Sequence, residues 1–167
     1  MELFLLRHGI AVDRGLPGDQ DDSQRPLTPK GAARIHQIAQ VAKRMGVKFD
    51  LLLSSPYLRA QQTAQMVASF YKMEDRLRLT ENLTPTVTPS ALIGEIHETY
   101  ADALSILIVG HEPYLSALAG MLLAGDENVA ITLKKGGLCK LSIDELRYAR
   151  CATLDWLLTP KQMLNLD

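Results

Sequence analysis

Leu3-Phe4-Leu5-Leu6-Arg7-His8-Gly9 is an apolar run that stops abruptly at an arginine, a histidine and a glycine. It reads as a buried strand that delivers a cationic donor and an imidazole to one end of a sheet, with glycine permitting a sharp exit. Ser105-Ile106-Leu107-Ile108-Val109 ends the same way, in Gly110-His111-Glu112-Pro113. Two buried strands that each end in histidine point to a site assembled from both.

Outward from these runs, strand and helix signals alternate. Asp13 to Arg25 is rich in Gly, Asp and Pro and reads as an exposed loop. Thr28-Pro29 supplies a cap and a first-turn proline for a helix carrying Ile35, Ile38, Ala42 and Met45, closed by Gly46. Leu51 to Ser55 reads as a short buried strand, and Tyr57 to Tyr71 as a helix with Ala60, Ala64, Val67 and Tyr71 on one face. A brief strand at Leu77 to Leu79 precedes a second Thr-Pro start, Thr88-Pro89, and a helix through Tyr100. After Ser105 to Val109 comes a helix from Tyr114 to Ala124, ended by Gly125.

The pattern then changes to three strand-like runs, Val129 to Leu133, Leu138 to Ile143 and Thr153 to Leu158. Strands alternating with helices predict a three-layer α/β/α sandwich with a mostly parallel sheet. The terminal runs predict antiparallel additions at one edge. With 167 residues and no repeat or linker, one domain over 1–167 is expected.

A content of 47% hydrophobic and 22% charged residues fits a folded chain. The net charge of −1 gives no whole-molecule field for nucleic acid, so any anion site must arise from local placement of charge. Cys139 and Cys151 form no CxxC motif and read as small apolar residues of a reducing compartment. The four histidines show no metal-ligand spacing. No signal peptide or membrane-length run is visible, so a cytoplasmic location without membrane partners is expected.

Ligands bind beyond the carboxyl ends of strands in open parallel sheets. Three strand ends carry the relevant side chains here: Arg7 and His8 at the first, Arg59 in the helix after Leu51 to Ser55, and His111 at the third. Two guanidinium groups, two imidazoles and helix N-termini on one rim suit a phosphoryl group.

Arg7-His8-Gly9, Ser55-Pro56-Tyr57-Leu58-Arg59-Ala60-Gln61-Gln62-Thr63 and Gly110-His111 resemble the histidine phosphatase superfamily, which includes phosphoglycerate mutases. Arg25-Pro26-Leu27-Thr28 with Gly31, and Glu81-Asn82-Leu83-Thr84-Pro85, resemble its SixA-type phosphohistidine phosphatases more narrowly. The resemblance runs from Leu3 to about Leu158 and implies a phosphoglycerate mutase-like fold without a large cap. It implies that His8 is the phosphorylated nucleophile, that Arg7 and Arg59 hold phosphate oxygens, and that His111 stabilises the transition state. No cofactor is implied, and the charge can be neutralised without a metal ion.

Gly9 and Arg25 are further candidates for substrate binding. Arg25 has two readings, guidance of substrate at the rim and pinning of the loop, of which the second is favoured. Superfamily mutases and many small-molecule phosphatases use a carboxylic acid from a longer segment after the second motif. The corresponding segment here is short, and Glu81 is its one carboxylate. Asp13, Asp19 and Glu112 are other possibilities for that acid.

A phosphoramidate leaving group is readily protonated by water, and an uncapped site is open to a protein surface. Both points favour phosphohistidine on a protein, such as a phosphotransfer domain or histidine kinase, with phosphate as product. The alternatives are a small-molecule phosphomonoesterase and a non-catalytic phospholigand-binding module. Thr63 and Ala60 read as packing residues, Thr28 as a helix cap, and His36 and His97 as non-catalytic. Lys134-Lys135-Gly136-Gly137 reads as a turn, and Tyr114 equally as pocket lining or as cover for the sheet edge.

Overall fold

The computed structural model describes residues 1–13 and 21–166. Its strands are β1 (Glu2–Arg7), β2 (Leu51–Ser54), β3 (Leu77–Leu79), β4 (Ser105–Gly110), β5 (Leu138–Ile143) and β6 (Ala152–Leu158). Between and after them run α1 (Pro29–Arg44), α2 (Leu58–Tyr71), α3 (Pro89–Thr99), α4 (Tyr114–Ala124) and α5 (Pro160–Leu164). One six-stranded sheet has the order β3-β2-β4-β1-β5-β6. β1, β2, β3 and β4 pair in parallel, and β5 and β6 add antiparallel beyond β1.

The period of two along each strand divides the core. Leu3 and Leu5 of β1 with Ile106 and Ile108 of β4 face Leu92 and Ile96 of α3 and Leu115 and Leu118 of α4. Phe4 and Leu6 with Leu107 and Val109 face Ile35 and Ile38 of α1, Ala64 and Val67 of α2, and Met163 of α5. Each fully buried aliphatic side chain contributes about 1.5–3 kcal/mol of transfer free energy. The two clusters are therefore the adhesive of the three layers.

That division also locates the site. β1 and β4 are neighbours in register, with Arg7 opposite Gly110. The chain leaves β1 toward α1 on one face and leaves β4 toward α4 on the other. A crevice opens where adjacent strands send their helices to opposite faces. His8 and His111 stand at its two sides.

One expectation needs correction, and one element lies beyond those read from the sequence. Val129 to Leu133 lies outside every ladder of the described residues. Its polar groups turn elsewhere: the Leu133 carbonyl accepts from Arg7, and the following turn sends the Gly136 N–H to the carbonyls of Arg7 and His8. The run is a strap across the end of β1, not a strand. The element not read is α5, whose Thr159-Pro160 start repeats the Thr-Pro device used by α1 and α3 and adds a capping box with Gln162. Five residues give too short an apolar period to read.

Between β3 and α3 the chain makes a single 3₁₀ turn at Glu81–Leu83. The Thr80 N–H donates to the Ser54 carbonyl, and the Tyr114 hydroxyl donates to the Asn82 carbonyl. Tyr114 is buried in the core and fastens this turn to α4. No cap helix interrupts the segment.

Candidate active site

His8 follows β1 directly, and its backbone N–H continues the ladder by donating to the Gly110 carbonyl. The side chain is buried, with Nδ1 2.7 Å from the Gly9 carbonyl oxygen. A carbonyl only accepts, so Nδ1 carries the proton and Nε2 holds the lone pair. Burial, together with the nearby His111, Arg59 and Arg7, lowers the His8 pKa to about 3 despite the Gly9 contact. His8 is therefore a neutral imidazole near neutral pH, with its unprotonated nitrogen defined by the backbone.

Gly9 owes its identity to crowding. A Cβ there would lie 2.8 Å from Ile35 Cγ1 and 3.1 Å from Leu27 Cδ2. Its N–H donates to Thr63 Oγ1 at 3.1 Å, and the Thr63 hydroxyl donates to the Arg59 carbonyl at 2.7 Å. Both polar groups of Gly9 are thus engaged within the protein. Gly9 acts by orienting His8, and Thr63 ties the β1 end to the first turn of α2.

Arg59 is buried in that first turn. Its Nε donates to His8 Nε2 at 3.3 Å, Nη1 to the Asp22 carbonyl at 2.7 Å, and Nη2 to Asp22 Oδ2 at 3.0 Å. The guanidinium also lies over the Tyr57 ring, 5.2 Å from its centroid. Arg25 secures the same carboxylate, with Nε 2.8 Å from Asp22 Oδ1 and Nη1 donating to the Val12 carbonyl at 2.6 Å. Arg25 thus ties the Asp22 side chain to the Val12 backbone. Asp22 went unrecognised because nothing in a loop rich in aspartate marks the one that meets Arg59.

Arg7 directs Nη1 to the Leu133 carbonyl at 2.9 Å, while its buried Nε has no partner among the described residues. Burial lowers the Arg7 pKa, and the opposing charge of Glu112 raises it. His111 shows the same incompleteness. Its Nε2 lies 2.8 Å from Ser55 Oγ, and its buried Nδ1 has no partner among the described residues. Ser55 Oγ accepts the Tyr57 N–H and keeps both a second lone pair and its hydroxyl hydrogen for the His111 ring. In the tautomer in which the Ser55 hydroxyl donates to Nε2, His111 presents Nδ1–H as a donor. Burial, then Arg59, lowers its pKa to about 3, so this donor is neutral.

The rings of His8 and His111 stand 5.2 Å apart between centroids. The structure brings Arg7, His8, Arg59 and His111 together, as the strand ends predicted. Buried donors without partners are uncommon in folded proteins. Two beside a neutral imidazole and a buried guanidinium suit the binding of an oxyanion.

Of the candidate acids, Glu81 and Asp13 are exposed, Asp19 lies outside the described residues, and Glu112 is partly buried beside His111. His36 and His97 are exposed on helices, and His36 packs edge-on against Phe70. Cys139 is buried and Cys151 partly so, both as free thiols. No helix of the described residues is long and apolar enough to cross a membrane.

Residues 3–84 match the family model of the histidine phosphatase superfamily (branch 1). The chain is 28% identical to phosphohistidine phosphatase SixA of Escherichia coli strain K12, over 96% of this chain and 94% of that one. It is 36% identical to an uncharacterized protein of Picosynechococcus, over 84% of each chain. A solved structure of the protein histidine phosphatase SixA complexed with tungstate superposes with a TM-score of 0.84 at 26% identity, covering all of both chains. Sequence and fold agree: the chain belongs to the histidine phosphatase superfamily.

Proposed function

We propose that this chain is a single-domain phosphohistidine phosphatase that removes the phosphoryl group from a histidine of a partner protein. The observation that carries this reading is the state of His8, with Nδ1–H held by the Gly9 carbonyl and Nε2 unprotonated beside buried donors. The similarity to SixA proteins named for phosphohistidine supports the substrate class.

The reaction runs in two steps. His8 Nε2 attacks phosphorus in line, the bond to the substrate nitrogen breaks, and its electron pair leaves with the imidazole, which takes up a proton. Arg7 Nε, His111 Nδ1 and the Arg59 guanidinium hold the nonbridging oxygens and neutralise their charge. Water then attacks the phosphohistidine, the P–Nε2 bond breaks, and phosphate leaves. The positive and neutral donors of the chain supply the electrostatics, without a metal ion or cofactor.

The short Thr80–Thr88 connection holds one 3₁₀ turn and no cap helix, which suits a phosphoryl group borne on a protein. A phosphotransfer domain or histidine kinase, in cytoplasmic signal transduction, is the partner that fits. Purified protein mixed with a radiolabelled phosphotransfer domain in the presence of chelator should release inorganic phosphate, and His8→Ala should not. Absence of release from the wild type rejects this substrate class, and equal release by the variant rejects the nucleophile.

A further inference from the structure

Glu112 follows His111 at the end of β4, and its side chain is only half accounted for. The Ser116 hydroxyl, one turn into α4, donates to Oε2. Oε1 is buried and has no hydrogen-bond partner among the described residues. Arg7 is close enough for the two charges to act on each other, yet Arg7 Nε and Glu112 Oε1 both remain without partners. A buried ion pair that served stability alone would join these atoms, because leaving either unsatisfied carries a desolvation penalty. With both atoms unsatisfied, the pair complements a ligand with an acceptor for Arg7 and an adjacent atom for Glu112. A phosphoryl oxygen and the leaving atom on the same phosphorus have that relationship.

We propose that Glu112 is the proton donor to the leaving atom at this site. The inference rests on the phosphatase reading and extends it to the substrates the site can serve. As His8 Nε2 bonds to phosphorus, the P–O or P–N bond breaks, the electron pair stays on the leaving oxygen or nitrogen, and that atom takes the Glu112 proton. The Glu112 carboxylate then accepts a proton from the water that attacks phosphohistidine, which restores both groups. Burial raises the Glu112 pKa, with Ser116 and Arg7 opposing. A bound phosphoryl dianion adds a like charge that holds the proton more firmly.

The contribution of such a donor depends on the basicity of the leaving group. Phosphohistidine needs little help, whereas an alkyl or phenyl phosphate needs much. Glu112 thus extends the site from phosphoramidates to phosphate monoesters, without the cap segment that supplies an acid elsewhere. Glu81 is exposed and lacks the burial of Glu112.

The test compares wild type, Glu112→Gln and Ser116→Ala on p-nitrophenyl phosphate, whose leaving group needs no proton, and on phenyl phosphate, whose leaving group does. Glu112→Gln should lose about tenfold or less in kcat on the first and about 100-fold or more on the second. Ser116→Ala should show the same leaving-group dependence at smaller size, which keeps the test intact if Glu112→Gln folds poorly. Equal losses on both esters, or no turnover of phenyl phosphate by the wild type, overturn the role of Glu112. His8→Ala, run in parallel, separates the two readings. Turnover of p-nitrophenyl phosphate that survives this variant rejects the His8 phosphatase reading itself.

Discussion

Asp22 holds both terminal nitrogens of Arg59, through its backbone carbonyl at 2.7 Å and its carboxylate at 3.0 Å, while Arg59 Nε points at His8 Nε2. A guanidinium so gripped has one orientation, and Arg25 holds the gripping carboxylate from its other oxygen. Asp22 therefore fixes the orientation of Arg59, which the proposed function sets against phosphate oxygens. Replacing Asp22 by Ala should lower kcat/KM by about 10²-fold, the scale expected for misplacing a group by an ångström. Asp22→Asn keeps an acceptor for Nη2 and the backbone contact, and should recover part of the loss. Steady-state kinetics on both variants, with thermal melts to verify folding, provide the check. Equal activity in wild type and Asp22→Ala would show that Arg59 needs no such support.

The covalent step has its own signature. A phosphoryl group on nitrogen is labile to acid and stable to base, the reverse of a phosphoserine. Wild type quenched in alkali during turnover of a radiolabelled substrate should carry label on the peptide containing His8. The label should disappear after acid treatment and be missing from His8→Ala. His111→Ala retains the nucleophile but lacks a donor to the oxyanion, so it should form the intermediate about 10²–10³-fold more slowly. Label found on any other residue would move the nucleophile.

Two buried neutral histidines set a direction for stability with pH. In the unfolded chain His8 and His111 titrate near pH 6.5, whereas burial and the adjacent arginines lower both to about 3 in the fold. Below about pH 6.5 the unfolded state therefore binds protons that the folded state does not, and stability falls as pH drops toward 3. Each histidine contributes a loss on the order of 5 kcal/mol at the acid end of that window, with the two coupled through their proximity. Melts across this range should show a steep acid decline, flattened in His8→Ala and His111→Ala. An unchanged slope would mean that neither ring is held neutral. Activity should show no loss near pH 6.5 from protonation of His8.

Much of this was legible in the chain because the strand ends state their chemistry locally. Arg7-His8-Gly9 and Gly110-His111 follow runs too apolar to lie anywhere but in the sheet, and parallel pairing carries both to one rim. Helix starts were readable at Thr28-Pro29 and Thr88-Pro89, whereas Thr159-Pro160 opens a helix too short to read and Thr84-Pro85 opens none. The partners were not readable, because each is contributed by a segment distant in sequence. Asp22 sits among other aspartates, and only the fold selects it for Arg59. Ser55 and Thr63 look like ordinary polar residues of a turn and a helix until His111 and Gly9 come against them. Val129 to Leu133 has the composition of a strand, but the carbonyl of Leu133 is claimed by Arg7. Composition indicates which segments can extend, not what they will bond to.

The packing of the loop under this site gives a paired prediction on glycine. The N–H of Gly31 in α1 donates to the Thr28 hydroxyl, and Thr28 donates its own N–H to the Ile10 carbonyl. This brings the helix so close that a Cβ on Gly31 would lie 2.1 Å from the Ile10 oxygen. Backbone cannot move aside as a flexible side chain does, so Gly31→Ala should destabilise by about 3 kcal/mol or more. It should also slow turnover, because Ile10 directly follows the His8-Gly9 pair. Gly94 is the opposite case: it is exposed within α3, and a Cβ there meets nothing within 4 Å. Gly94→Ala should stabilise by about 0.5–1 kcal/mol through reduced freedom of the unfolded chain and better helix propensity. Denaturant titrations of both variants measure the two signs against one baseline. A neutral Gly31→Ala would mean that α1 can withdraw from the loop, and that the Ile10 backbone does not fix the floor beneath His8.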